Sequence, residues 1–96
     1  MTEMKFAKIK VTVKSVDGKC PLGNVPGKEF IIERTTPAGI CMSAYQAISP
    51  AIHVLRFSGS FPWEKDPDVA HFACPDPVNK TIYKIERIGE VSLKTR

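Results

Sequence analysis

Ninety-six residues make a single domain with a modest core, suited to a shallow pocket, a surface site or a site shared between subunits rather than a deep private cavity. An apolar fraction of 43% with a charged fraction of 25% is that of an ordinary folded chain and disfavours intrinsic disorder. The net charge of +4 permits an anionic partner without demanding one, and no run approaches the roughly 18–20 apolar residues of a membrane span.

Charges interleave with apolar residues from Met1 to Lys10, where a signal peptide would carry an apolar block. The expected compartment is therefore the cytoplasm, where thiols stay reduced. From Ala7 to Val13 the apolar residues Ala7, Ile9, Val11 and Val13 alternate with Lys8, Lys10 and Thr12, which predicts a first strand with one packed face. Asp17-Gly18 marks a turn, and Gly18 to Gly27, with three glycines and two prolines, excludes helix and regular strand. Cys20 lies inside that segment. Phe30, Ile31 and Ile32 predict a second strand over Glu29 to Arg34, ended by Thr35-Thr36-Pro37-Ala38-Gly39.

Cys41 stands near the start of a predicted helical region, Met42 to Phe57. Pro50 would interrupt one long helix, and Ser49-Pro50 reads as an N-cap with a first-turn proline, so the region is expected as two short helices or one kinked one. Ile52, Leu55 and Val54 are its expected core residues. Ser58 to Asp68 reads as loop, Val69 to Ala73 as a short strand, and Cys74-Pro75-Asp76-Pro77 as a rigid turn. Thr81 to Ile88 returns as a strand, with Tyr83 and Ile85 on one face. A turn at Gly89 leads to a last short strand over Glu90 to Lys94.

This order predicts an α+β class in one domain, residues 1–96. Its sheet is small, antiparallel or mixed, of four to five strands. One kinked or split helix packs on it or plugs a small barrel.

The chemistry-bearing residues are three cysteines, an odd number that forbids a complete internal disulfide set. Cys20 and Cys74 precede proline, and Cys41 sits at a helix start. Irregular turns and helix N-termini leave amides free to donate, and such donors stabilise a thiolate or the sulfur of a cluster. Cys-Pro pairs occur among iron–sulfur ligands. The spacing lacks any Cys-x-x-Cys, the strongest signature of zinc, so Cys20, Cys41 and Cys74 can form a metal site only by converging through the fold. They would leave a fourth position of an iron–sulfur cluster or a tetrahedral zinc for another ligand. His71 and His53 are the candidate protein ligands, although each also reads as an ordinary helix or strand histidine. The competing reading is that the thiols are small buried hydrophobes.

Trp63 reads as a cap on the core, or as an anchor for a pocket or subunit contact. Glu64, Asp66 and Asp68 lack the glycine and terminal glutamate of a calcium loop and read as solvated acids. Lys8, Lys10 and Lys14 form a basic strand face without interleaved aromatics, and no zinc-finger or RNA-recognition signature is present, so a nucleic-acid partner is not expected. No phosphate loop and no Ser-His-Asp order occurs.

Gly18-Lys19-Cys20-Pro21, Gly27-x-Glu29-Phe30, Gly39-Ile40-Cys41, Gly59-Ser60-x-Pro62-Trp63-Glu64-x-Asp66 and Cys74-Pro75-Asp76-Pro77 together resemble a small, uncharacterised family of bacterial and archaeal proteins of about this length. The resemblance covers nearly the whole chain and implies that the three cysteine positions are family features. It implies no particular activity. The chain departs from the family pattern at Asn24, where members carry histidine, and at Met42, where they carry proline. The first departure removes a ligand that a Cys₃His zinc site would use, and a three-cysteine cluster is less affected.

Two functions are expected from these residues. One is a metal-binding protein with Cys20, Cys41 and Cys74 as ligands, an iron–sulfur cluster being favoured over zinc, in electron transfer, cluster-based catalysis or structure. The other is a non-catalytic interaction or structural module with buried free thiols, whose Trp63 loop meets a protein partner or a second copy.

Overall fold

The computed structural model describes residues 2–19 and 23–95. The elements are β1 (Thr2–Val16), β2 (Glu29–Ile32), α1 (Met42–Arg56), β3 (Val69–Ala73) and β4 (Thr81–Thr95). The four strands form one antiparallel sheet in the order β2-β1-β4-β3. The sheet is open, with β2 and β3 as its edges, so the class is α+β and the barrel alternative falls away.

The strand read over Ala7–Val13 extends well beyond those bounds, and β1 pairs with β4 from Thr2↔Thr95 to Val16↔Thr81. The two strands expected either side of Gly89 are one strand. Ile9 pairs with Arg87 and Lys8 with Gly89, so Ile88 is the extra residue of a bulge, not the end of a strand. A second register shift leaves Lys14 as the extra residue of β1. A bulge lets a long strand bend without ending, and glycine within a strand often marks such a bend. That is why Gly89 resembles a turn in the sequence.

One face of the sheet carries the core. Ile9, Val11 and Val13 of β1 are buried beside Tyr83 and Ile85 of β4, with Phe30 and Ile32 of β2 and Ala70 of β3 flanking them. Helix α1 covers this face with Ala44, Ile48, Ala51, Ile52 and Leu55, an i, i+4, i+7, i+8, i+11 stripe. Ile48, Ile52 and Leu55 are fully buried, each worth about 1.5–3 kcal/mol of transfer free energy. The helix runs as one element through Pro50 rather than as two. Pro50 is exposed, on the side away from the stripe.

The helix ends at Phe57, and Gly59 turns back to donate its amide to Val54 O at 2.7 Å. A Cβ at Gly59 would lie 2.6 Å from Val54 Cγ1 and 2.8 Å from Val54 O, so only glycine allows this return. Arg56 lies over the Phe6 ring at 4.5 Å and fastens the helix end to the outer part of β1.

The opposite sheet face has no second layer among the described residues. It carries ion pairs between neighbouring strands, Lys8–Glu33, Lys10–Glu29 and Lys10–Glu86. These are exposed or half-exposed pairs worth little each. No helix among the described residues is long and apolar enough to cross a membrane.

Candidate functional site

The β3–β4 connection begins at Cys74, directly after the last residue of β3. Cys74 N donates to Thr81 O at 2.9 Å, and Thr81 N donates to Cys74 Sγ at 3.2 Å. The sulfur therefore takes a backbone hydrogen bond at the mouth of the hairpin. Pro75-Asp76-Pro77 makes the tip rigid. Asp76 Oδ1 accepts the amides of Val78 at 2.9 Å and Asn79 at 3.0 Å. These bonds, that of Asn79 first, hold the Asp76 carboxyl below its ordinary value of 3.8, because they favour the charged form.

Cys41 is the N-cap of α1, with extended backbone (φ −61°, ψ 136°) and no side-chain cap bond. The first helical bond runs from Tyr45 N to Cys41 O at 2.8 Å. The amides of Met42, Ser43 and Ala44 ahead of it have no acceptor within the helix. No acidic residue occupies the first turn. Cysteine stands where serine, threonine, aspartate or asparagine would satisfy one of these donors.

The start of α1 and the β3–β4 hairpin face each other across a cavity of about 280 Å³. Cys41 and Cys74 both line it, with Ser43 and Ala44 from the helix and Thr81 and Tyr83 from β4. Both thiols are half-buried and touch the hydrophobic core. Two cysteines distant in sequence are thus brought to one cavity.

Cys20, with Pro21 and Leu22, lies outside the described residues. The chain on either side of it is fastened to residues of this same cavity. Before it, Lys19 N donates to Asn79 Oδ1 at 3.1 Å. Gly18 has φ +75°, and a Cβ there would lie 2.5 Å from Asn79 Oδ1, so this close approach requires glycine twice over. After it, buried Asn24 donates from Nδ2 to Tyr83 Oη at 2.8 Å and itself lines the cavity.

Neither histidine lines the cavity. His53 is exposed on α1, edge-on to the Phe57 ring at 6.1 Å. His71 lies in β3 between Ala70 and Phe72, which pack on the core, and is held by Glu64. Glu64 Oε2 accepts the His71 amide at 2.9 Å, and Glu64 Oε1 lies 3.1 Å from Nδ1. The carboxylate thereby satisfies an amide of an edge strand. Among the described residues, no three His, Cys, Asp or Glu side chains are grouped to hold a metal ion.

Of the loop acids read as solvated, Asp66 and Asp68 are exposed and Glu64 is not, and all three hold partners. Glu64 is 12% exposed and bound to His71, Asp66 Oδ1 accepts the Asp68 amide at 2.9 Å, and Asp68 Oδ1 accepts Arg87 Nε at 2.9 Å. Arg87 was overlooked in the sequence. It also donates from Nη1 to Leu55 O and Gly59 O and from Nη2 to Pro67 O, tying the helix end and the long loop to β4. The only signal for it was a lone arginine in a strand next to Ile88-Gly89. Trp63 is exposed, with its ring 4.9 Å from that of Phe61, which in turn packs on Phe72.

Comparison with known proteins gives no match: neither a family model, nor a curated protein, nor a solved structure matches the chain.

Proposed function

We propose that the protein binds a metal centre through Cys20, Cys41 and Cys74, an iron–sulfur cluster ahead of zinc. The observation that carries this reading is the shared cavity of Cys41 and Cys74. Its support comes from the anchoring of the chain at Lys19 and Asn24, either side of Cys20, to Asn79 and Tyr83 of that cavity. The amide of Thr81 on Cys74 Sγ and the amides at the start of α1, which have no acceptor within the helix, are donors of the kind that sulfur ligands use. A cluster would supply one-electron chemistry or a Lewis-acidic iron there, and the protein's part is to hold three sulfurs and surround them with donors. The resemblance of the motif set to the small bacterial and archaeal family, with its cysteine positions, supports the same reading. Asn24 stands at the cavity where that family carries histidine, which weakens a Cys₃His zinc site and leaves a three-cysteine cluster. A reducing, cytoplasmic compartment belongs to the proposal.

Anaerobic purification followed by an absorption spectrum and iron, sulfide and zinc analysis tests it. The expected result is a coloured protein with iron and sulfide in equal proportion, lost in Cys41→Ser and Cys74→Ser variants that keep their far-ultraviolet circular dichroism. Colourless, metal-free protein from those conditions would sink the proposal. The contacts of Cys41 and Cys74 with the hydrophobic core favour the second reading, an interaction module with buried thiols, in that case. The exposed Trp63 would then be the first surface to probe.

A further inference from the structure

A second group of titratable side chains lies on the sheet face away from the cavity. Ala70 and Phe72 of β3 pack on the core, so His71 between them points to the opposite face. Glu64, whose side chain is only 12% exposed, holds it there. Glu64 Oε2 accepts the His71 amide at 2.9 Å, and Oε1 lies 3.1 Å from Nδ1. On the other side of the ring, Nε2 lies 3.5 Å from Lys14 Nζ. Lys14 is the extra residue of the β1 bulge, and a bulge re-aims the side chain it carries. Lys14 thus reaches over β4, the strand between β1 and β3.

A carboxylate only accepts hydrogen bonds and an ammonium only donates them. The neutral ring between the two therefore keeps its hydrogen on Nδ1 and turns the Nε2 lone pair to Lys14. Lys8, Lys10 and Lys84 on this face meet carboxylates instead, at 3.5 to 3.8 Å. A carboxylate favours the ammonium form, which is no nucleophile, whereas an imidazole can take the proton away. The order carboxylate, imidazole, nucleophile is the one by which acyl-transfer sites activate a side chain.

We propose that Lys14 is acylated by small acyl phosphates, with His71 as the base and Glu64 as the residue that positions the ring. Two protons leave Nζ. The first passes through His71 Nε2 to water and frees the lone pair, which attacks the acyl carbon. The N–C bond forms, the C–O bond to phosphate breaks, and phosphate departs with the electron pair. The second proton passes from Nζ through Nε2 to the departing phosphate. Lys84, directly opposite His71 in the β3–β4 ladder, adds a second positive charge on this face for the phosphate. The site shares no residue with the cysteine cavity and does not rest on the metal reading.

The test incubates the full chain with acetyl phosphate at neutral pH and follows each lysine by peptide mass spectrometry. Lys14 is expected to be acetylated at least about tenfold faster than Lys8 or Lys10, modest beside the ~10²–10⁴ of a positioned base in an enzyme. His71→Gln should bring Lys14 down to the rate of those lysines and leave theirs unchanged, which a merely structural role would not do. Glu64→Gln should lower the Lys14 rate less. Lys84→Gln should slow the reaction with acetyl phosphate but not with the uncharged donor p-nitrophenyl acetate. Lys14 reacting no faster than Lys8 and Lys10, or just as fast in His71→Gln, overturns the proposal. Equal loss with both donors in Lys84→Gln overturns the preference for an acyl phosphate. If His71→Gln does not fold, the comparison of lysines within the parent chain decides alone.

Discussion

A single side chain sets the hairpin at the cavity mouth. Asp76 is exposed, yet its carboxylate holds the amides of Val78 and Asn79. Its folded pKa is lowered, so its contribution to stability is complete above the unfolded value of 3.8 and is lost as pH falls through the lower folded value. An acid titration of the fold should show this: Asp76→Ala flattens the stability profile below about pH 4, and an unchanged acid limb would contradict the role given to it. The residues of the site were only partly legible beforehand. Cys41 and Cys74 stood out because a helix start and an irregular turn leave amides free to donate to a sulfur. Thr81 did not, and Asn24 did only as a departure from the family pattern, because an orphan hydroxyl and a buried amide become visible only when segments distant in sequence are laid side by side.

Among the elements, the loop 58–68 depends on one guanidinium. Arg87 reaches Leu55 O, Gly59 O, Pro67 O and Asp68 from the strand beside it. Arg87→Ala would leave those carbonyls without donors and should cost about 3 kcal/mol. For a domain of this size that lowers the melting temperature by about 12 °C or more. Arg87→Lys should recover little, because an ammonium cannot serve four acceptors in a planar fork. A thermal melt showing a small loss for Arg87→Ala would refute this. The strands and helix themselves were legible from periodicity, since Ile9, Val11 and Val13 alternate and Ala44, Ile48, Ala51, Ile52 and Leu55 repeat at helical spacing. One boundary was misread, at Gly89, and at Pro50 the single helix is the one of the two expected forms that is found. In each case a residue that usually ends an element is accommodated, by a bulge in β4 and by the exposed side of α1.

For the whole molecule, strand order decides where the structure holds firmest. Ile9–Thr12 of β1 and Ile82–Glu86 of β4 have partners on both sides, whereas Thr2–Lys8 and Gly89–Thr95 pair only with each other as a two-stranded ribbon. The ribbon contributes to extents of 49 × 29 × 19 Å, long for a chain of this length. Amide hydrogen exchange should therefore be slowest in the central segments and faster along the ribbon, and uniform protection over β1 would refute that. The pairing of β1 with β4 has one more consequence. Strands β1 and β4 are neighbours in the sheet but are separated in sequence by β2, α1 and β3, so β1 waits for its principal partner until all three have been made. Such sequence-distant pairing closes a long loop and is slow. Thr81 and Tyr83, which line the cavity, arrive only with that late strand. Whatever the cavity takes up must therefore be loaded after β4 has joined β1, into an assembled sheet.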